Sequence, residues 1–112
     1  MIDALDREDD VAIAAITVAE LRVGIHLSKG RRRAGREHFV ASILDAISVE
    51  PYDLDVAGAH AELMAQARTT GRPRRANDLI IAATASATDR RVVTLDRRGF
   101  ADLPGVEVLE LD

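Results

Sequence analysis

The chain has 112 residues, a size typical of one domain with an apolar core, and 47% of them are apolar although only 3% are aromatic. The formal net charge of -4 does not indicate a nucleic-acid binder, and the absence of cysteine excludes disulfides and thiolate zinc sites. No apolar run approaches the roughly 20 residues of a membrane helix and no signal-peptide pattern is present, so we expect a soluble, cytoplasmic single domain over residues 1–112.

The first half of the chain predicts a strand, two helices and a second strand. Residues 11–16 form a continuous apolar run, which is typical of a strand that is covered on both faces. A helix is expected over residues 17–27, and apolar residues at helical spacing predict a second, amphipathic helix over residues 31–47. Residues 48–52 predict a short strand.

The second half predicts two more helices and two more strands. Asp55 is expected to cap a helix that ends at Gly71. Residues 78–88 predict a buried helix, residues 91–95 a strand and residues 106–111 a last strand. Strands that alternate with helices imply a mainly parallel sheet between helical layers, and such sheets bind ligands beyond the carboxyl ends of their strands.

Three acidic residues are expected at that edge of the sheet. Glu20 follows the first strand, Asp78 opens its helix, and Asp96 directly follows the strand at residues 91–95. Converging carboxylates repel one another unless a cation lies between them, and hard oxygen ligands select Mg²⁺ or Mn²⁺. Because such an ion can activate water and neutralise charge on a phosphate under attack, the three acids predict a metal-dependent phosphodiesterase.

Each acid also has a structural explanation. Thr17 and Glu20 have the spacing of a capping box, in which Glu20 would only bond the backbone at the helix start. Asn77 or Asp78 could be the N-cap of its helix, which is worth about 1 kcal/mol. Asp96 could be a turn residue. The sequence leaves these alternatives open.

Arginines are clustered in the sequence despite its negative net charge. A guanidinium group binds phosphate through two parallel hydrogen bonds, so the clusters are candidate contacts for an RNA backbone, although each could also be solvated surface. The candidates are Arg31, Arg32, Arg33, Arg72, Arg74 and Arg75.

Three segments resemble the successive signature segments of PIN domains, and more narrowly of VapC toxins from bacterial type II toxin–antitoxin systems. They are "AIAAITVAELRVGI" (12–25), "GRPRRANDLIIAATA" (71–85) and "VVTLDRRGFADLPGVEVL" (92–109). The resemblance implies a Rossmann-like, three-layer α/β/α fold and an Mg²⁺- or Mn²⁺-dependent ribonuclease that cleaves cellular RNA. It places the acidic catalytic and metal-binding positions of the family on Glu20, Asp78 and Asp96, and a small hydroxyl position beside the site on Thr94.

The resemblance also implies partners. The family implies a VapB-type antitoxin that covers the acidic pocket, a toxin homodimer, and promoter DNA that is reached only indirectly through the antitoxin. The arginine clusters would then contact RNA or the antitoxin.

The start of the chain departs from the family pattern. PIN domains begin with a strand that ends in a metal-binding Asp, whereas "MIDALDRED" resembles the segment that follows this strand. Asp3 and Asp6 lie downstream of the expected position, so neither is assigned the role. We therefore expect a PIN fold without its N-terminal strand and a metal site with three carboxylates.

Two other functions are compatible with an acidic pocket on such a fold. A signalling receiver domain needs a lysine after a late strand, but the only lysine, Lys29, follows the first predicted helix. A catalytically inactive PIN-like protein that acts only as the partner of an antitoxin in promoter repression is the alternative to the nuclease.

Overall fold

The computed structural model describes residues 11–94 and 97–110, with the side chains of residues 97 and 110 left out of that description. These residues form two compact units. The N-terminal unit is Val11–Pro51, and the C-terminal unit consists of the described residues from Tyr52 onward. The single domain over residues 1–112 stays a prediction.

The N-terminal unit contains two helices between two strands. In chain order these elements are β1 (Ala12–Ala14), α1 (Ala15–His26), α2 (Gly30–Ala46) and β2 (Ser48–Glu50). The strands are parallel, with Ala12 opposite Ser48 and Ala14 opposite Glu50. Parallel strands need a long crossover connection, which α1 and α2 provide.

Helix α1 begins earlier than the sequence predicts. The strand expected over residues 11–16 ends at Ala14, and both Ile16 and Thr17 are already helical. A short apolar run is compatible with a buried strand and with the first turn of a buried helix, so periodicity alone could not separate the two.

The C-terminal unit contains two long helices followed by two strands. Its elements are α3 (Leu54–Thr70), α4 (Ala76–Ala87), β3 (Val92–Thr94), a one-turn 3₁₀-helix (Arg97–Gly99) and β4 (Val108–Glu110). Here too the strands are parallel, with Val92 opposite Val108. The prediction of parallel pairing is confirmed, and in the described part of the chain the four strands form two separate two-stranded sheets.

The core of the C-terminal unit lies between α3, α4 and β3. Helix α4 is buried as predicted, and its Ala82 and Ala83 have no exposed surface. The distance between packed helices depends on the side chains at their contact, and alanine lets the helices approach closely. Thr84 is also buried, and its hydroxyl donates a hydrogen bond to the carbonyl oxygen of Ile80 at 2.8 Å, which satisfies it.

The ends of α3 are set by one aspartate and one glycine. The cap is Asp53 and not the predicted Asp55, because Oδ1 of Asp53 accepts the backbone N–H of Val56 at 3.0 Å. The two aspartates are equally good caps by composition, so the local sequence did not choose between them. The predicted end at Gly71 is confirmed, with φ of 66° in the left-handed region that favours glycine. None of the helices in the described ranges is long and apolar enough to cross a membrane.

Candidate functional site

Asp78 is the third residue of α4 and does not cap that helix. The N-cap residue is Arg75, whose side chain makes no capping bond, and Asn77 is itself helical. The explanation of Asn77 or Asp78 as an N-cap is therefore wrong. The Asp78 side chain is partly buried in the first turn, where free backbone N–H groups and the helix dipole favour a negative charge.

The carboxylate of Asp78 has no polar partner in the described part of the chain. Among the described residues it makes no hydrogen bond and no ion pair. A carboxylate that is partly withdrawn from water normally has such a partner, because its desolvation is otherwise uncompensated. Because Asp78 has no such partner among the described residues and lies at the positive end of a buried helix, a ligand-binding role is favoured over a structural one.

An open cavity of about 660 Å³ lies beside Asp78. Its lining is rich in arginine and includes Arg72, Arg74, Arg75 and Arg98. Arginine side chains favour anions, and the planar fork of a guanidinium group matches the oxygens of a phosphate. The cavity therefore brings several arginine residues close to Asp78.

Thr94 and Asp78 are brought together at this cavity. Thr94 is the last residue of β3 and lines the same cavity as Asp78. This juxtaposition is the one expected at the carboxyl end of a parallel strand. Asp96 lies outside the described residues, and its position near Asp78 stays a prediction.

Glu20 lies inside α1 and is exposed. The helix starts at Ala15 with Ala14 as its N-cap and no side-chain capping bond, so the capping-box explanation of Thr17 and Glu20 is wrong. Glu20 belongs to the N-terminal unit, whereas Asp78 belongs to the C-terminal unit. A shared site for the two carboxylates stays a prediction.

Among the described residues, Asp78 is the acidic residue that lines the cavity. Within residues 11–94 and 97–110, no group of three or more His, Asp or Glu side chains is placed to hold an ion. Asp78 by itself fits a hard cation, because a carboxylate supplies hard oxygen ligands, it has no hydrogen-bond or ion-pair partner among the described residues, and it lines an open cavity. Mg²⁺ usually keeps several waters and uses only one or two carboxylates of the protein, so the chemistry of Asp78 suits it.

Arg74 connects the segment before α4 to the loop after β3. Its guanidinium group donates to the carbonyl oxygens of Ala101 at 2.6 Å, Arg98 at 3.3 Å and Gly99 at 3.5 Å. These bonds give Arg74 a structural role that the sequence did not indicate. Its contact with RNA or an antitoxin stays a prediction.

Arg72 and Arg75 make fewer contacts than Arg74 within the described part of the chain. Arg72 pairs with Asp102 at 3.5 Å, but both side chains are exposed, and such a pair contributes little to stability. Arg75 is exposed and makes no hydrogen bond or ion pair within the described part of the chain. The contact of Arg75 with RNA or an antitoxin stays a prediction.

The other arginine cluster lies at the start of α2. Arg31, Arg32 and Arg33 are all exposed. Arg33 pairs with Glu37 one helical turn later, with Nε and Oε1 3.1 Å apart. Their role in binding RNA or an antitoxin stays a prediction.

Gly99 is a residue of this site that the sequence did not single out. A Cβ atom added to it would lie 2.8 Å from Oδ2 of Asp78. The segment "DRRGF" shows only that a glycine follows two arginines, and nothing in it indicates which side chain the glycine approaches.

Comparison with known proteins identifies the family. The sequence pattern of the PIN domain matches residues 2–106. VapC ribonuclease Y4jK of Sinorhizobium fredii is 39% identical over 101 residues, which are 87% of this chain and 71% of that protein.

Solved structures share the fold. A member of the VapBC family of toxin–antitoxin systems, VapBC-5 from Mycobacterium tuberculosis, superposes with a TM-score of 0.80 at 33% identity, covering 89% of this chain and 81% of its own. FitAcB from Neisseria gonorrhoeae superposes with a TM-score of 0.83 at 35% identity, covering 97% of this chain and 80% of its own. These similarities confirm the predicted α/β PIN fold. The chain therefore belongs to the PIN domain family, in which it is similar to proteins of the VapC type.

Proposed function

We propose that this chain is the toxin of a type II toxin–antitoxin system and hydrolyses phosphodiester bonds of cellular RNA with Mg²⁺ or Mn²⁺ as its cofactor. The observation that carries the proposal is the carboxylate of Asp78, which has no partner among the described residues and lies on a cavity lined by arginines. The names of the relatives support it, since one is called a ribonuclease and another belongs to a toxin–antitoxin system.

In this proposal the acidic residues bind the metal ion and the arginines bind the RNA backbone. Asp78, Glu20 and Asp96 would hold the ion, which when bound supplies an activated water and neutralises charge on the scissile phosphate. Asp78 lies in the first turn of α4 and lines the cavity, so its carboxylate would reach an ion bound there. Either Glu20 or Asp96 accepts a proton from the attacking water, and Thr94 places a hydroxyl group at the cavity that Asp78 lines.

The arginines of the cavity bind the RNA backbone in this proposal. Arg75 has no hydrogen-bond or ion-pair partner among the described residues, and both Arg75 and Arg98 line the cavity. Phosphate contacts of this kind position a nucleic acid without reading its sequence. They would hold the strand while the carboxylates act on one phosphate.

The proposal includes a protein partner. A VapB-type antitoxin would bind the toxin, cover its acidic pocket and connect it indirectly to promoter DNA, while the toxin itself forms a homodimer in the cytoplasm. The relative from a VapBC system supports such a partner.

The cofactor requirement is tested by an RNA-cleavage assay with the purified chain. We expect cleavage of total cellular RNA in Mg²⁺ or Mn²⁺, no cleavage after chelation with EDTA, and recovery when either ion is restored, because water activation depends on the bound ion. Equal cleavage in EDTA would contradict metal dependence.

The same assay addresses the second candidate function, an inactive PIN-like partner of an antitoxin in promoter repression. The observation that favours this function is that a solved relative comes from a toxin–antitoxin system. Stable binding of a VapB-type antitoxin without RNA cleavage in either ion would support it over the nuclease.

Arg75→Gln is expected to weaken RNA binding without unfolding the chain. Removing one phosphate contact should reduce the slope of log affinity against log salt by about 1, or slightly less for a single strand. Binding is measured by fluorescence anisotropy with a labelled single-stranded RNA in EDTA, over a series of salt concentrations.

The matched control for Arg75 is Arg22→Gln. Arg22 is also exposed and without a partner among the described residues, but it lies in α1 and does not line the cavity. An equal loss of affinity and slope in the two variants would indicate general charge attraction and would remove Arg75 from the proposed contact.

A further inference from the structure

A side chain at Gly99 would overlap the present position of the Asp78 carboxylate. An ideal Cβ atom at Gly99 would lie 2.8 Å from Oδ2 and 3.5 Å from Cγ of Asp78. Non-bonded heavy atoms are most stable about 3.5–4.0 Å apart, so the shorter of these distances is a steric clash. Either the carboxylate or the loop would have to move to accommodate even a methyl group.

The backbone does not require a glycine at this position. Of the glycines in the described ranges, Gly30, Gly71 and Gly105 have positive φ angles, and Gly99 does not. An alanine could therefore adopt the backbone conformation of Gly99 without strain. The remaining reason for a glycine here is the space that the carboxylate of Asp78 occupies.

Arg74 holds the backbone of Gly99 in place. Its guanidinium group bonds the carbonyl oxygens of Arg98, Gly99 and Ala101, which fixes three positions of one short loop. Arg74 itself lies just before α4, the helix that carries Asp78. The loop and the helix start are thus tied together, and the loop cannot withdraw from Asp78 without breaking these bonds.

We propose that Gly99 is a positioning residue, whose missing side chain, with the loop held by Arg74, sets where the carboxylate of Asp78 lies. The carboxylate occupies the space above Gly99 and keeps its direction toward the arginine-lined cavity. A side chain at position 99 turns the carboxylate away from that direction. The consequence for metal binding rests on the proposed function, whereas the steric contact between the two residues does not.

The first test measures the affinity of the metal-free protein for Mn²⁺ by calorimetry in wild type, Gly99→Ala, Asp78→Ala and the double variant. Loss of a residue that only orients a ligand lowers affinity about 10- to 100-fold, and this range is expected for Gly99→Ala. Adding Gly99→Ala to Asp78→Ala should cause no further loss, because the carboxylate that it displaces is then absent.

The matched control is Gly58→Ala. Gly58 lies within α3, and a Cβ atom there would meet nothing within 4 Å. This variant should bind Mn²⁺ as wild type does. Unchanged Mn²⁺ affinity in Gly99→Ala, or an equal loss in the Asp78→Ala background, would overturn the proposal.

A second test of the contact between Gly99 and Asp78 does not depend on metal binding. It is decisive if the wild-type chain binds no Mn²⁺. That outcome by itself would count against the proposed function. The measurement is the Tm change caused by Gly99→Ala in three backgrounds: wild type, Asp78→Asn and Asp78→Ala. Asn has the size of Asp, so the Tm should fall in the first two backgrounds and not in the third. The same Tm change in all three would show that position 99 has no steric coupling to position 78.

Discussion

Asp78→Asn is expected to abolish metal-dependent RNA cleavage while the chain stays folded. Asn keeps the size of the side chain but removes the charge that a divalent ion requires. Mutation of a residue that only supports a metal ligand typically lowers metal affinity or activity about 10- to 100-fold. Loss of a direct ligand should therefore reduce the cleavage rate more than about 100-fold. The rate is measured with saturating Mg²⁺, and the affinity for Mn²⁺ is measured in parallel.

The matched control for Asp78→Asn is Asp55→Asn. Asp55 is the acidic residue in the first turn of α3, as Asp78 is in the first turn of α4, so both variants remove one charge from a helix start. Each should lose about 0.3–1 kcal/mol of unfolding free energy through the helix dipole, which denaturant titration can measure. Only Asp78→Asn should lose cleavage, and retained cleavage in that variant would remove Asp78 from the mechanism.

Arg74→Met is expected to lower both stability and cleavage. The substitution keeps the apolar stem but leaves three carbonyl oxygens of the loop without their donor. Hydrogen bonds from a charged donor contribute about 1.5–3 kcal/mol, so a decrease in unfolding free energy of this size is expected. Cleavage should fall as well, because the loop that carries Gly99 and follows Asp96 is no longer held against α4.

Arg74→Lys separates the structural role of Arg74 from a phosphate contact. Lysine keeps the positive charge but lacks the planar fork that reaches several carbonyl oxygens at once. If Arg74 holds the loop, Arg74→Lys should lower the free energy of unfolding nearly as much as Arg74→Met. If Arg74 mainly binds RNA, Arg74→Lys should preserve both the stability and most of the RNA affinity. Arg72→Met is the control for stability, since its exposed ion pair should contribute less than about 1 kcal/mol.

The acidic site shows how far local patterns reach. The sequence predicts Asp78 at the carboxyl edge of the sheet, and the family resemblance implies Thr94 beside the site; both residues line the same cavity. The choice between a capping role and a free carboxylate could not be made, because it depends on where the helix begins. The start of α4 at Ala76 moved Asp78 from the N-cap to the third helical position and decided the question.

The helix boundaries show the same limit. The buried face of α4 and the end of α3 at Gly71 were predictable, since an apolar run and a glycine beyond a helical repeat are local signals. The start of α1 and the cap of α3 were not. At α1 an apolar run fitted both a strand and a first helical turn, and at α3 Asp53 and Asp55 were equally good caps, so local signals did not choose.

The sequence by itself determined the order of the elements, the aliphatic core and the membership of the PIN family. These follow from periodicity, composition and short motifs, which are properties of neighbouring residues. Only the tertiary structure decided that Arg74 bonds the loop at residues 98–101 and that Gly99 lies against Asp78. Such contacts join residues that are distant in the chain. They depend on the distance between α4 and the loop, and a change in that distance by less than the width of a methyl group would alter them.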